Sequence, residues 1–96
     1  MRNYEIMFIV KATMESDQVK ATADKLQGII TEYNSKVIEF KELGEKKLAY
    51  KINNETNGYY FVMKVEASIE AINEFNRRSA LDESVIRTLV IKLDEE

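Results

Sequence analysis

The 96-residue chain has no cysteine and no histidine. Without cysteine there is no disulfide framework and no thiolate chemistry. Without histidine, the usual zinc sites and the usual general base near neutral pH are missing. A carboxylate-only site for a hard cation would remain, but no calcium-loop spacing of acidic residues occurs. Glycine is scarce, at three residues, and none falls in the segment Lys11-Ala12-Thr13-Met14-Glu15 that follows the first apolar stretch. A small phosphohydrolase would need a backbone-amide cradle for phosphate there. Acyl-phosphate hydrolysis, and catalysis in general, therefore finds no support, and neither a cofactor nor a small-molecule substrate is expected. Long apolar runs are absent too. The run Ile6 to Val10 is five residues, too short for a signal-peptide core or a membrane span. The expected location is the cytoplasm, with no membrane partner.

What is present suits one small domain over residues 1–96, ending in a short acidic tail at 93–96. At 45% hydrophobic and 32% charged residues, the composition is that of an ordinary globular protein. The net charge of −3 argues against strong autonomous binding to nucleic acid, because phosphate affinity comes chiefly from lysine and arginine. The charge is unevenly placed. Residues 36–51 hold five lysines and three glutamates, a balance of +2, while residues 82–96 hold five acids and two bases, a balance of −3.

Apolar periodicity orders the chain. Residues 3–10 alternate, with Tyr4, Ile6, Phe8 and Val10 on one face and a largely apolar second face, as in a central strand. Val19, Ala23, Leu26, Ile30 and Tyr33 form a helical stripe, with Thr13 or Ser16 as its expected cap and Gly28 as a point of close approach to the sheet. Residues 36–52 read as a long strand interrupted near Gly44, where a bulge is expected. The polar segment 53–58 ends in Asn57-Gly58, a favoured hairpin turn, and residues 59–66 alternate again. Ser68 is the expected cap of a second helix, with Ile69, Ile72 and Phe75 on its buried face. Residues 85–93 form the last strand. The right-handed crossover rule turns this order into a ferredoxin-like β-α-β-β-α-β fold, an α+β plan with a four-stranded antiparallel sheet and two helices on one face. The other face would then carry Met7, Ile9, Tyr60 and Val62, an apolar patch of the kind that docks a partner unless loops or self-association cover it.

The stretch Leu43-Gly44-x-Lys46-Lys47-Leu48-Ala49-Tyr50-x-Ile52 admits a plain reading as an edge strand defended by lysines. It also resembles the signature of bacterial small-subunit ribosomal protein six. The opening Met1-Arg2-x-Tyr4-Glu5 resembles that family's start, and Val85-Ile86-Arg87 leading into Val90-Ile91-Lys92 its end. Lys46 and Lys47 stand where many members have arginine, which keeps the charge and loses bidentate phosphate geometry.

The resemblance implies a structural ribosomal protein that binds the central domain of small-subunit (16S) ribosomal RNA as a heterodimer with small ribosomal protein eighteen. It implies Arg2, Lys46, Lys47, Arg87 and Lys92 as phosphate contacts, which position a protein on RNA without reading its sequence. Tyr4 and Tyr50 would pack beside them or in the core. The alternative is a free-standing RNA-recognition module. Gly58, Tyr59, Phe61 and Val62 fit its ribonucleoprotein octamer, but Tyr59 and Phe61 share the face of Val65, which the core needs.

Overall fold

The structure, a computed structural model, describes residues 2–52 and 55–93, with the backbone alone at Ile52. The elements run β1 (Arg2–Lys11), α1 (Ser16–Glu32), β2 (Lys36–Ile52), β3 (Glu55–Ala67), α2 (Ile69–Leu81) and β4 (Val85–Lys92). The strands pair antiparallel in the order β2-β3-β1-β4. This is the expected ferredoxin-like plan. β1 is central, which explains why both its faces are apolar. The acidic residues 94–96 and residues 53 and 54 lie outside the described part.

The even positions of β1 and the odd positions of β3 meet the helices. Ile6, Phe8, Phe61, Met63 and Val65 are buried together with Val19, Leu26 and Ile30 of α1 and Ala71, Ile72 and Phe75 of α2. Each large side chain so buried contributes roughly 1.5–3 kcal/mol relative to exposure. Phe8 stacks on Phe61 with ring centroids 5.1 Å apart, and Phe40 joins them from β2, the offset geometry aromatic pairs favour.

Four local readings change. The cap of α1 is Glu15, whose side chain makes no capping bond, so neither Thr13 nor Ser16 serves there. Gly28 makes no close approach, since a β-carbon there would meet nothing within 4 Å. Ile69 is 62% exposed. The buried stripe of α2 is set by Ala71, Ile72, Phe75 and Ser79, and at 100° per residue Ile69 sits about 100° from the middle of that stripe. Asn57-Gly58 is no turn: both residues belong to β3, opposite Lys47 and Lys46, and Ile52 pairs with Glu55. The expected cap of α2 is in place, with the Ser68 hydroxyl accepting the Ala71 amide at 3.2 Å.

Charged ties hold the helices together. Arg77 grips the Glu74 carboxylate through Nε at 3.0 Å and Nη2 at 2.6 Å, while Arg78 reaches both Glu74 and Glu32 of α1. The hydrogen bonds from Arg77 and then Arg78 lower the Glu74 pKa to about 2. At the C-cap of α2, burial disfavours the charged Asp82 carboxylate. The Lys25 ammonium at 2.8 Å and the Ser84 amide outweigh that effect and hold its pKa below the usual value.

Candidate nucleic-acid interface

Residues opposite each other in an antiparallel ladder point to the same face, so the register lays out the helix-free face in rows. One row is Gly44, Tyr60, Ile9 and Arg87, from β2 across to β4. Beyond it, toward the end of β1, stand Lys46, Gly58 and Lys11. On the other side come Lys41, Val62, Met7 and Leu89, then Glu39, Lys64, Glu5 and Ile91. In that last row Glu39 lies 3.9 Å from Lys64, and it also meets Lys41 at 3.3 Å. The face is thus apolar and basic at one end and carries a mixed charge ladder toward the other.

β2 does not stay flat beside this face. Gly44 adopts φ +90° at a register shift between Glu42 and Gly44, a left-handed conformation that glycine takes without a Cβ penalty. The expected interruption is there. A larger one follows: between the pairs Lys47–Asn57 and Ile52–Glu55, residues 48–51 stand opposite Thr56 alone. Extra residues on one strand bend it and increase its twist. Here they fold the tip of β2 back as an arm over the open face.

Leu48 is consequently only 6% exposed and Ile9 3%. Ile9 was expected to lie open for a partner; the chain's own arm covers it. Met7, Tyr60 and Val62 are half-buried. Beneath the arm runs a groove of about 280 Å³, floored by Met7, Ile9, Tyr60 and Leu89 and roofed by Leu48, Ala49 and Tyr50. The arm is tied at its far side, where Arg87 Nη1 donates to the Tyr50 hydroxyl at 3.3 Å. Of the two tyrosines flagged in the sequence, Tyr4 is in the core and Tyr50 is 65% exposed.

The five cations singled out in the sequence do not form one cluster. Lys46 and Arg87 share the open face at the groove end of the sheet. Lys47, the next residue along the strand, projects to the opposite side. Lys92 pairs with Tyr4, and Arg2 pairs with Ala67. Tyr4 and Ala67 face the core, so Arg2 and Lys92 lie on the helix side, roughly 17–23 Å away along the strands at 3.3 Å per residue. Lys11 was missed. Its signal was plain enough, two residues beyond Ile9 and therefore on the same face.

The comparisons place this arrangement among known proteins. A family model described as ribosomal protein S6 matches residues 3–92. The chain belongs to that family. The S6 family is one of structural ribosomal proteins of the small subunit, parts of a ribonucleoprotein that acts in translation, and not of enzymes. The crystal structure of 30S ribosomal protein S6 from Thermotoga maritima is similar to this chain with a TM-score of 0.91 at 22% identity, over 96% of this chain and 87% of that one. At this identity the likeness is one of fold, and it agrees with the S6 assignment. Among the described residues, no helix is long and apolar enough to cross a membrane.

Proposed function

We propose that the chain binds the central domain of 16S ribosomal RNA together with small ribosomal protein eighteen, as one domain over residues 1–96, in the cytoplasm. The observation that carries this reading, beside membership of the S6 family, is the gathering of Lys46, Lys11 and Arg87 at one end of an open sheet face on a chain whose net charge is −3. Cations concentrated at one end neutralise backbone phosphates locally, while the acidic remainder favours a basic partner. Arg2 and Lys92 serve a second backbone contact on the other face. Lys47 reaches whichever strand passes the outer side of the arm. The partner protein takes the open face beyond the groove, where Val62 and the exposed Ile91 and Leu93 flank the Glu39–Lys64–Glu5 ladder.

The mechanism is architectural: an ordered surface is added to a folded RNA junction and holds its geometry. The free RNA-recognition reading loses its stacking platform, because Phe61 is 2% exposed and Tyr59 packs against the core. Sedimentation of tagged protein from lysate through a sucrose gradient, at moderate and high salt, tests the proposal. Co-migration with the small subunit at moderate salt is expected. Protein left at the top of the gradient would overturn it.

A further inference from the structure

The groove under the arm has a chemistry of its own. Its floor is apolar, and the half-buried ring of Tyr60 stands at one end of it. Beside Tyr60 in the same row is Gly44, which has no side chain and open space where a β-carbon would lie. A glycine inside a strand often marks the close approach of a ligand. The second tyrosine, Tyr50, hangs above with most of its surface exposed. Ring–ring stacking in the described residues involves Phe8, Phe40 and Phe61 on the helix side, so the faces of Tyr50 and Tyr60 are not spent on other aromatic rings. Arg87 lines the groove, Lys46 and Lys11 stand in the next row of the same face, and no carboxylate stands in either of these two rows.

A small groove that is apolar and aromatic, with Arg87 in its lining and two lysines in the next row, suits a flat uncharged group attached to a chain of negative charges. About 280 Å³ is at the small end of ligand pockets, enough for one planar ring system. We propose that this groove receives a single unpaired RNA base, stacked on Tyr60, with the phosphates on either side held by Arg87, Lys46 and Lys11. This rests on the ribosomal RNA reading and adds to it: the arm end of the sheet binds a base as well as the backbone. Single-stranded loops and bulges supply such bases, and aromatic side chains hold them with little regard to identity. Arg87 gives up its bond to the neutral Tyr50 hydroxyl for a charged phosphate oxygen, the stronger acceptor. Lifting of the arm therefore accompanies entry of the base.

The test is an NMR titration of the full chain at low salt with two seven-nucleotide strands. One is oligoadenylate; the other is the same strand with its central adenine replaced by an abasic ribose. Both carry the same phosphates. The oligoadenylate is expected to shift the amides of Ile9, Tyr60 and Leu89 and to bind about ten-fold more tightly than the abasic strand. Tyr60→Leu keeps the apolar bulk and is expected to reduce oligoadenylate binding to the abasic level. Equal affinity of the two strands would overturn the base site, as would failure of the oligoadenylate to bind. Groove amides that respond to the partner protein and not to either strand would likewise overturn it and assign the groove to protein. Co-sedimentation with the small subunit is independent of these results, so the base site can fail while the ribosomal reading stands.

Discussion

Arg87 donates from Nη1 to the Tyr50 hydroxyl at 3.3 Å, across 37 positions of sequence. The bond joins the two edges of the sheet, because Tyr50 comes from β2 and Arg87 from β4. It ties down an arm that has left the ladder. It is also exposed and has a neutral acceptor, so it holds the arm weakly and leaves Arg87 available to an anion.

Tyr50→Phe removes this tie and little else. Global stability is expected to change by less than about 1 kcal/mol, as for one exposed hydrogen bond. Amide exchange in residues 48–51 is expected to speed up, because that segment lacks ladder partners of its own. Unchanged exchange there would mean that the buried Leu48 holds the arm alone.

Lys46→Ala with Lys47→Ala is expected to weaken RNA binding by the heterodimer and to lower its log–log salt slope by roughly 1.4–1.8 units, two phosphate contacts' worth. The single changes separate the two sides of the arm. Each single change is expected to lose about half of that slope, and a loss with Lys46→Ala but none with Lys47→Ala would place the RNA on the open face alone. A slope unmoved by the double change would remove both lysines from the interface.

Gly58→Ala is expected to destabilise the fold by about 1–3 kcal/mol. The added β-carbon collides with Cγ2 of Ile9 and lies 3.5 Å from Ile86 Cδ1 and the Val10 carbonyl oxygen. Ile9→Ala removes the colliding methyl. Denaturant unfolding of the double variant should therefore show a loss smaller than the sum of the two single losses. Strict additivity would mean that the chain relieves the clash elsewhere.

Acid is expected to loosen the charged cluster on α2 from which Arg78 reaches Glu32 of α1. The Glu74 carboxyl titrates at about 2 in the folded chain, below its ordinary 4.5. The stability it contributes is complete above pH 4.5 and is lost as the pH falls toward 2. Stability against pH, compared between the native chain and Glu74→Gln, should converge over that window. Parallel curves, or a Glu74 carboxyl that titrates near its ordinary value, would show that Arg77 and Arg78 do not hold it in solution.

The sequence by itself determined the order of the six elements, the inward faces of β1 and β3 and the S6 family. These depend on periods of two and 3.6 and on short local motifs, which need no knowledge of neighbours. Tyr4, Ile6 and Phe8 alternate inward because Cβ directions alternate along any strand, and Ser68 caps α2 through a hydroxyl three residues from its partner amide. Only the tertiary structure decided what the arm does. Residues 48–51 keep a strand-like alternation in sequence, yet they bulge out of the ladder, because register depends on what the partner strand supplies opposite them. That bulge covers Ile9, builds the groove and brings Tyr50 to Arg87. The same limit explains Asn57-Gly58, a turn dipeptide by local preference that instead lies in β3, where Gly58 makes room for Ile9. It also explains the division of five cations between two ends and two faces of the sheet: which charges share a surface is set by pairing across strands, and pairing is a property of the folded chain.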